Sequence, residues 1–153
     1  MKLSEIFQPQ FIIANLKSHD KKEVLEELSQ IVTAQEPSLN KGILLQVLLE
    51  RERLGSTGIG DGIALPHGKL KGLNRLLISF GRSIDGLNFD SIDEQHAYLF
   101  FLLIAPENSA GIHLKALAKI SRMLKDGNFR RRLMDAKSSK EIYEIIIDKD
   151  EEF

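Results

Sequence analysis

The chain has 153 residues, a formal net charge of −1, 42% hydrophobic and 28% charged residues, which suits one domain with a buried core. That charge balance excludes nucleic acid as the main partner, because binding a phosphate backbone needs a basic surplus. The absence of cysteine excludes disulfides, thiolate chemistry and a Cys-based zinc site. The opening Met1-Lys2-Leu3-Ser4-Glu5 lacks the apolar run of an export signal, and the longest apolar stretch, Leu99 to Ala105, has the length of a strand. The expectation is a cytoplasmic protein, not membrane-embedded.

In chain order, Leu3 to Phe7 is a short opening, and Phe11-Ile12-Ile13 after Pro9 is a first strand or extended segment. Ser18 or Asp20 caps a helix, with Glu23 placed to complete a capping box. Val24, Leu25, Leu28, Ile31 and Val32 recur at helical spacing, so a helix is predicted over residues 21–35, closed by Pro37. Asn40 caps a second helix, striped by Ile43, Leu44, Val47 and Leu48, which runs to about Arg53 before Gly55. Ile63-Ala64-Leu65 is a short strand ended by Pro66. A polar loop from Gly68 to Asn74 precedes a strand over residues 76–80, and Asp85-Gly86 marks a turn. Tyr98 to Ile104 is too continuously apolar for a half-exposed strand and belongs in the middle of the sheet. Asn108 or Ser109 caps a helix over residues 110–125, Phe129 to Ala136 forms a short helix, and Ser138 with Glu141 opens a last one. The tail 148–153 reads as acidic and frayed. With no linker and no repeat, the expected architecture is a single α/β (α+β) domain over residues 1–153, with its core at about 3–147. It is a sandwich with a central mixed β-sheet and helices on both faces.

The chemistry concentrates in Thr57 to Gly68, where Gly58, Gly60 and Gly62 alternate ahead of Pro66-His67-Gly68. Bare glycine backbone approaches closely whatever lies over it. His67 then sits where a strand stops, uncovered by Gly68. Two accounts stand at this point: a nucleophile on a rigid scaffold, or a plain turn with a solvated imidazole. His19 and His96 lie in polar surroundings. His113 shares a helical stripe with Leu117, Ile120 and Leu124 and occupies the first turn of its helix. It reads either as a core histidine satisfied by a carbonyl or as a second imidazole that orients His67 or binds an anion held on it. Arg51 either complements the C-terminus of its helix or folds back to grip a phosphate. In the second case the Ser56 and Thr57 hydroxyls and the backbone of Gly58 and Gly60 complete an anion pocket. Metal ligation fails on spacing, since no histidine pair lies at i, i+4. A nucleotide P-loop lacks its Gly-Lys-Ser/Thr, and a serine hydrolase lacks its Gly-x-Ser-x-Gly elbow.

Glu52, six residues, Ile59-Gly60, two residues, then Ile63-Ala64-Leu65-Pro66-His67-Gly68 resembles the active-site signature of type-2 enzyme IIA domains of the bacterial phosphotransferase system. This is the fructose/mannitol class. Arg51-Glu52 and the His113 helix after Leu103-Ile104-Ala105-Pro106 also resemble its layout, and the likeness extends from Leu3 to about Ile147. Gly55-Ser56-Thr57-Gly58-Ile59-Gly60 is especially similar to the nitrogen-related, regulatory branch.

The resemblance implies that His67 accepts a phosphoryl group from the phosphohistidine of a small carrier protein, HPr or its nitrogen-branch equivalent NPr. An N–P bond is labile, whereas a serine ester would not pass its phosphoryl group on. His113, Arg51 and the loop N–H groups would stabilise the transferring group. The reactive nitrogen implied is Nε2. No metal, nucleotide or other cofactor is implied. With no cysteine and no apolar span among these 153 residues to form a IIB site or a IIC segment, the expectation is that onward transfer goes to another chain. The first expectation is a phosphorylation-dependent regulator whose targets, by resemblance, include potassium transporters and sensor kinases. The alternatives are a sugar-specific IIA passing phosphate to a separate IIB, and a binding module that is not phosphorylated.

Overall fold

The computed structural model describes residues 1–153, with Ala110 described by its backbone alone. After two 3-10 turns, the chain runs through β1 (Ile12–Ile13), α1 (Lys21–Gln35) and α2 (Lys41–Arg53). It continues through β2 (Gly58–Gly60), β3 (Ile63–Ala64), β4 (His67–Leu70), β5 (Leu77–Leu87) and β6 (Ala97–Pro106). Helices α3 (Ala110–Met123), α4 (Gly127–Asp135) and α5 (Ser139–Asp150) complete it.

The helix starts follow from local chemistry. Asp20 accepts from the Glu23 amide at 2.8 Å, and the Glu23 carboxylate accepts in turn from the amide of His19, one residue before the cap, at 2.8 Å. Asn40 accepts from the Ile43 amide at 3.0 Å and Ser138 from the Glu141 amide at 3.1 Å. Each such cap stabilises its helix by about 1 kcal/mol.

Six strands form one mixed sheet. β5 and β6 pair antiparallel at its centre, and β1 lies parallel to β5. On the other side of β6 lie β3 and β4, both parallel to it, with β2 antiparallel to β3 outside them. Residues 99–105 of β6 are buried without exception. Successive strand side chains point to opposite faces, so this run requires cover on both. Helices α1 and α2 pack on each other and on β5 and β4 respectively; α3 and α4 pack on β6 and α5 on β1. Phe80, Phe89, Phe100 and Phe101 are fully buried and meet edge to face across the core. The mixed sheet with helices on both faces agrees with the expectation.

Three local expectations are corrected. Residues 67–70 are a strand, not the start of a loop: His67 pairs with Leu103 and Leu70 with Pro106. The chain pairs with β6 as β3, steps aside at Leu65-Pro66, and resumes pairing as β4, the Leu103 amide donating to the Pro66 carbonyl at 3.0 Å. Asp85-Gly86 is no turn; it lies inside β5, at a register irregularity between Arg82 and Leu87 that absorbs it. The acidic tail is not frayed as a whole. Helix α5 continues to Asp150, whose fully buried carboxylate pairs with Lys119 of α3 at 2.5 Å and accepts from the Leu3 amide at 2.7 Å. Among the described residues, no helix is long and apolar enough to cross a membrane.

Candidate active site at His67

Pro66 and the parallel pairing of β4 fix the backbone on which His67 sits. Its ring is held by Nδ1, 2.8 Å from the Leu65 carbonyl. A carbonyl only accepts, so Nδ1 carries the proton and Nε2 presents its lone pair. His67 is half-buried, and burial holds its imidazolium below the ordinary histidine value of 6.5. The Leu65 hydrogen bond and Glu52 oppose that shift, and the Arg51 guanidinium adds to it. A neutral ring with a free Nε2 at neutral pH is a competent nucleophile.

The first turn of α3 brings His113 against it. The two ring centroids lie 5.2 Å apart, with planes at 76°. His113 is 5% exposed, and burial first, then His67 and Lys69, lower its basicity. Both rings line a cleft of about 490 Å³ at the junction of α2, β4 and α3. Arg51 lines it from the end of α2, together with Glu50 and Lys69. Arg51 also donates from Nη1 to the Gly55 carbonyl at 2.8 Å, so it both satisfies the chain leaving its helix and faces the cleft. The remaining lining is apolar: Val47, Leu117 and two rim residues, Leu54 and Leu114, that are 86% and 66% exposed.

The other expected phosphate ligands do not join this cleft. Ser56 donates from Oγ to the Phe89 carbonyl at 2.9 Å and accepts from the Gly58 amide at 3.0 Å. Thr57 is buried, its hydroxyl donating to the Glu52 carboxylate and its amide donating to the same group at 3.1 Å. The glycines approach protein instead of a ligand. A Cβ built on Gly58 would lie 2.9 Å from the Ser91 Cα, and one on Gly60 would meet the Asp93 carboxylate at 3.2 Å. The glycine run therefore packs on the β5–β6 connection, with the Ile92 amide donating to the Gly58 carbonyl. The anion pocket drawn from Ser56, Thr57, Gly58 and Gly60 is corrected accordingly; of the expected site residues, only His67, His113 and Arg51 meet.

Sequence reasoning missed two participants. Lys69 shares a strand face with His67 at i+2, a signal hidden while residues 68–74 read as a loop. Glu52, present in the signature without a role, is the anchor of the Thr57 loop: its buried carboxylate accepts from Thr57 and from Lys21 Nζ at 3.0 Å. His19 and His96 are exposed. No group of three or more His, Asp or Glu among the described residues is arranged to hold a metal ion.

Comparison with known proteins places the chain in a family. The family model described as "Phosphoenolpyruvate-dependent sugar phosphotransferase system, EIIA 2" matches residues 5–149. The nitrogen regulatory protein of Bradyrhizobium diazoefficiens is 38% identical over 146 residues, covering 95% of each chain. The fructose-specific EIIABC component of Bacillus subtilis is 35% identical over 146 residues, which is 95% of this chain and 23% of that protein. Among solved structures, nitrogen regulatory protein IIA-Ntr from Neisseria meningitidis superposes with a TM-score of 0.88 at 33% identity, covering 94% of this chain and 98% of that one. The chain therefore belongs to the EIIA type-2 family of the phosphoenolpyruvate-dependent sugar phosphotransferase system.

Proposed function

We propose that this protein is a cytoplasmic phosphocarrier that takes a phosphoryl group onto His67 from the phosphohistidine of an HPr-like carrier protein, HPr or NPr, and regulates a target through its phosphorylation state. The observation that carries the reading is the His67 ring itself, its Nδ1 bound to Leu65 and its Nε2 left open beside His113 and Arg51. Transfer between histidines needs little covalent machinery, so positioning and charge stabilisation by His113 and Arg51 supply what catalysis it requires. The exposed apolar rim at Leu54 and Leu114 suits a protein donor, which would cover it on docking. A phosphoryl group adds negative charge and strong acceptors at that same face, which is enough to create or oppose an interface with a potassium transporter or sensor kinase.

A second reading, a sugar-specific IIA that passes the phosphoryl group to a separate IIB, draws on the similarity to a fructose-specific EIIABC component. The two are separated by incubating the protein with phosphoenolpyruvate, enzyme I and either carrier, then taking the intact mass without acid. A phosphoryl adduct absent from His67→Ala supports the relay. Preference for the nitrogen-branch carrier supports regulation, and preference for HPr with onward transfer to a IIB supports sugar uptake. No adduct with either carrier would make the chain a binding module.

A further inference from the structure

We propose that Glu52 and Lys21 are positioning residues for His67: from outside the cleft they clamp Thr57, and Thr57, through Leu65, holds the His67 ring with Nε2 open. The inference rests on the reading that His67 accepts the phosphoryl group. It starts where the strand is interrupted. Pairing of β3 with β6 ends at Ala64, and β4 resumes it at His67. Leu65 lies in the gap, and Pro66 after it has no N–H to give. Two other bonds hold Leu65. Its amide donates to the Thr57 carbonyl at 2.9 Å, and its carbonyl accepts from His67 Nδ1 at 2.8 Å. Thr57 therefore sets the position of the residue whose carbonyl orients the ring.

Thr57 is fixed in turn by one carboxylate. Its amide donates to Glu52 Oε1 at 3.1 Å and its hydroxyl donates to Oε2. Lys21, the first residue of α1, donates to Glu52 Oε1 at 3.0 Å, pairs with Asp90 at 3.4 Å and lies 4.8 Å from the centre of the Phe89 ring. The clamp ties the start of α1, the end of α2 and the β5–β6 connection to the chain behind His67. Neither Glu52 nor Lys21 lines the cleft. Stability is a poor account of this carboxylate. Glu52 is buried, and it sits in the last turn of α2, at the negative end of the helix dipole. A buried ion pair gains little over an apolar replacement, so a carboxylate kept against both preferences serves geometry.

Charge follows the same path. The groups that face His67 are Glu50, Arg51 and Glu52 of α2, Lys69 of β4 and His113 of α3, with Lys21 of α1 behind Glu52; β6 beneath contributes no charge. Burial is the main cause that lowers the basicity of His67. The Leu65 bond opposes it, Arg51 reinforces it, and the Glu52 carboxylate opposes it again. An ammonium on that carboxylate offsets its pull, which keeps His67 neutral and nucleophilic.

The test compares Glu52→Gln with Glu52→Ala in the full-length chain. Glutamine is the conservative variant: it keeps an acceptor for the Thr57 amide and a donor toward the Thr57 hydroxyl, without charge. Alanine removes the clamp. Long-range proton–nitrogen NMR on free, histidine-labelled protein reads the His67 tautomer and its titration. Single-turnover transfer from phosphorylated HPr and NPr reads the saturated rate and the half-saturation separately. Glu52→Gln should keep the proton on Nδ1 and the saturated rate within about threefold, with His67 titrating at lower pH than in the parent. Glu52→Ala should show mixed tautomers and a saturated rate lower by about tenfold or more, at a half-saturation within about twofold of the parent. Lys21→Met leaves the carboxylate without its cation and should move the His67 titration to higher pH, whereas Lys21→Arg should not; this pair decides the proposal if Glu52→Ala does not fold. A parent-like tautomer and rate in folded Glu52→Ala, equal losses in the glutamine and alanine variants, or a loss confined to half-saturation would overturn the proposal. So would a His67 titration unmoved by Lys21→Met. Intact mass of the parent protein separates the two readings. With no adduct from either carrier the phosphocarrier reading fails, while the tautomer and titration of the free protein still decide the clamp.

Discussion

Gly68→Ala tests how β4 is positioned. A Cβ at Gly68 would lie 2.7 Å from Val47 Cγ1 and 3.8 Å from Leu48 Cδ2, both on α2. Valine is stiff at χ1, so the contact is relieved only by moving the strand or the helix. Overpacking of this kind costs about 1–3 kcal/mol, while replacing a strand glycine by alanine returns about 0.5–1 kcal/mol of chain entropy. The expected net loss is about 0.5–2 kcal/mol, read from the urea midpoint at unchanged slope. Because His67 precedes Gly68 in β4, the displacement should also slow phosphoryl transfer by about tenfold or more. The partner change Val47→Ala removes the colliding methyl groups, so the double variant should recover both stability and rate. A coupling of about 1 kcal/mol in the favourable direction is expected. Two results would refute the reasoning: a Gly68→Ala protein as stable and fast as the parent, or effects of the two changes that simply add.

Arg51→Ala should cost under about 1 kcal/mol, since one exposed hydrogen bond to Gly55 is lost, yet slow transfer by about ten- to a hundredfold. A stability loss with an unchanged rate would return Arg51 to helix capping alone. Burial lowers the folded pKa of His67 below 6.5, so the rate of phosphoryl uptake should be flat above that pH and fall only as pH drops through the lowered value. A rate already halved at pH 6.5 would contradict the shift. Arg82 on β5 is 4% exposed and donates to the carbonyls of Ala14, Leu133, Met134 and Ala136, closing the end of α4. Arg82→Ala should therefore cost about 3–5 kcal/mol by denaturant titration while leaving transfer by the folded fraction unchanged; a loss under about 1 kcal/mol would show the four bonds to be dispensable.

What the sequence disclosed was what local chemistry decides. The caps at Asp20, Asn40 and Ser138 bond to amides three residues on, so the starts of α1, α2 and α5 were legible in single residues. The apolar run of β6 announced a central strand because both its faces are covered. His67, His113 and Arg51 were legible as chemistry-bearing residues, and their meeting depends on the parallel pairing of β4 with β6. What stayed hidden lies in long-range partners. Ser56 and Thr57 look like phosphate ligands until Phe89 and Glu52 are seen to occupy their hydroxyls. The end of α5 looks frayed until Asp150 meets Lys119 and the Leu3 amide, 31 and 147 residues away in sequence. Strand β4 is only four residues long, and its pairing with a strand more than thirty residues onward leaves no local trace.

The measurement that tests the central claim most directly is nitrogen–phosphorus coupling in the phosphorylated, nitrogen-labelled protein. The account predicts that the coupled nitrogen is Nε2 of His67, because Leu65 occupies Nδ1. Coupling to Nδ1 of His67, or to a nitrogen of His113, would contradict it.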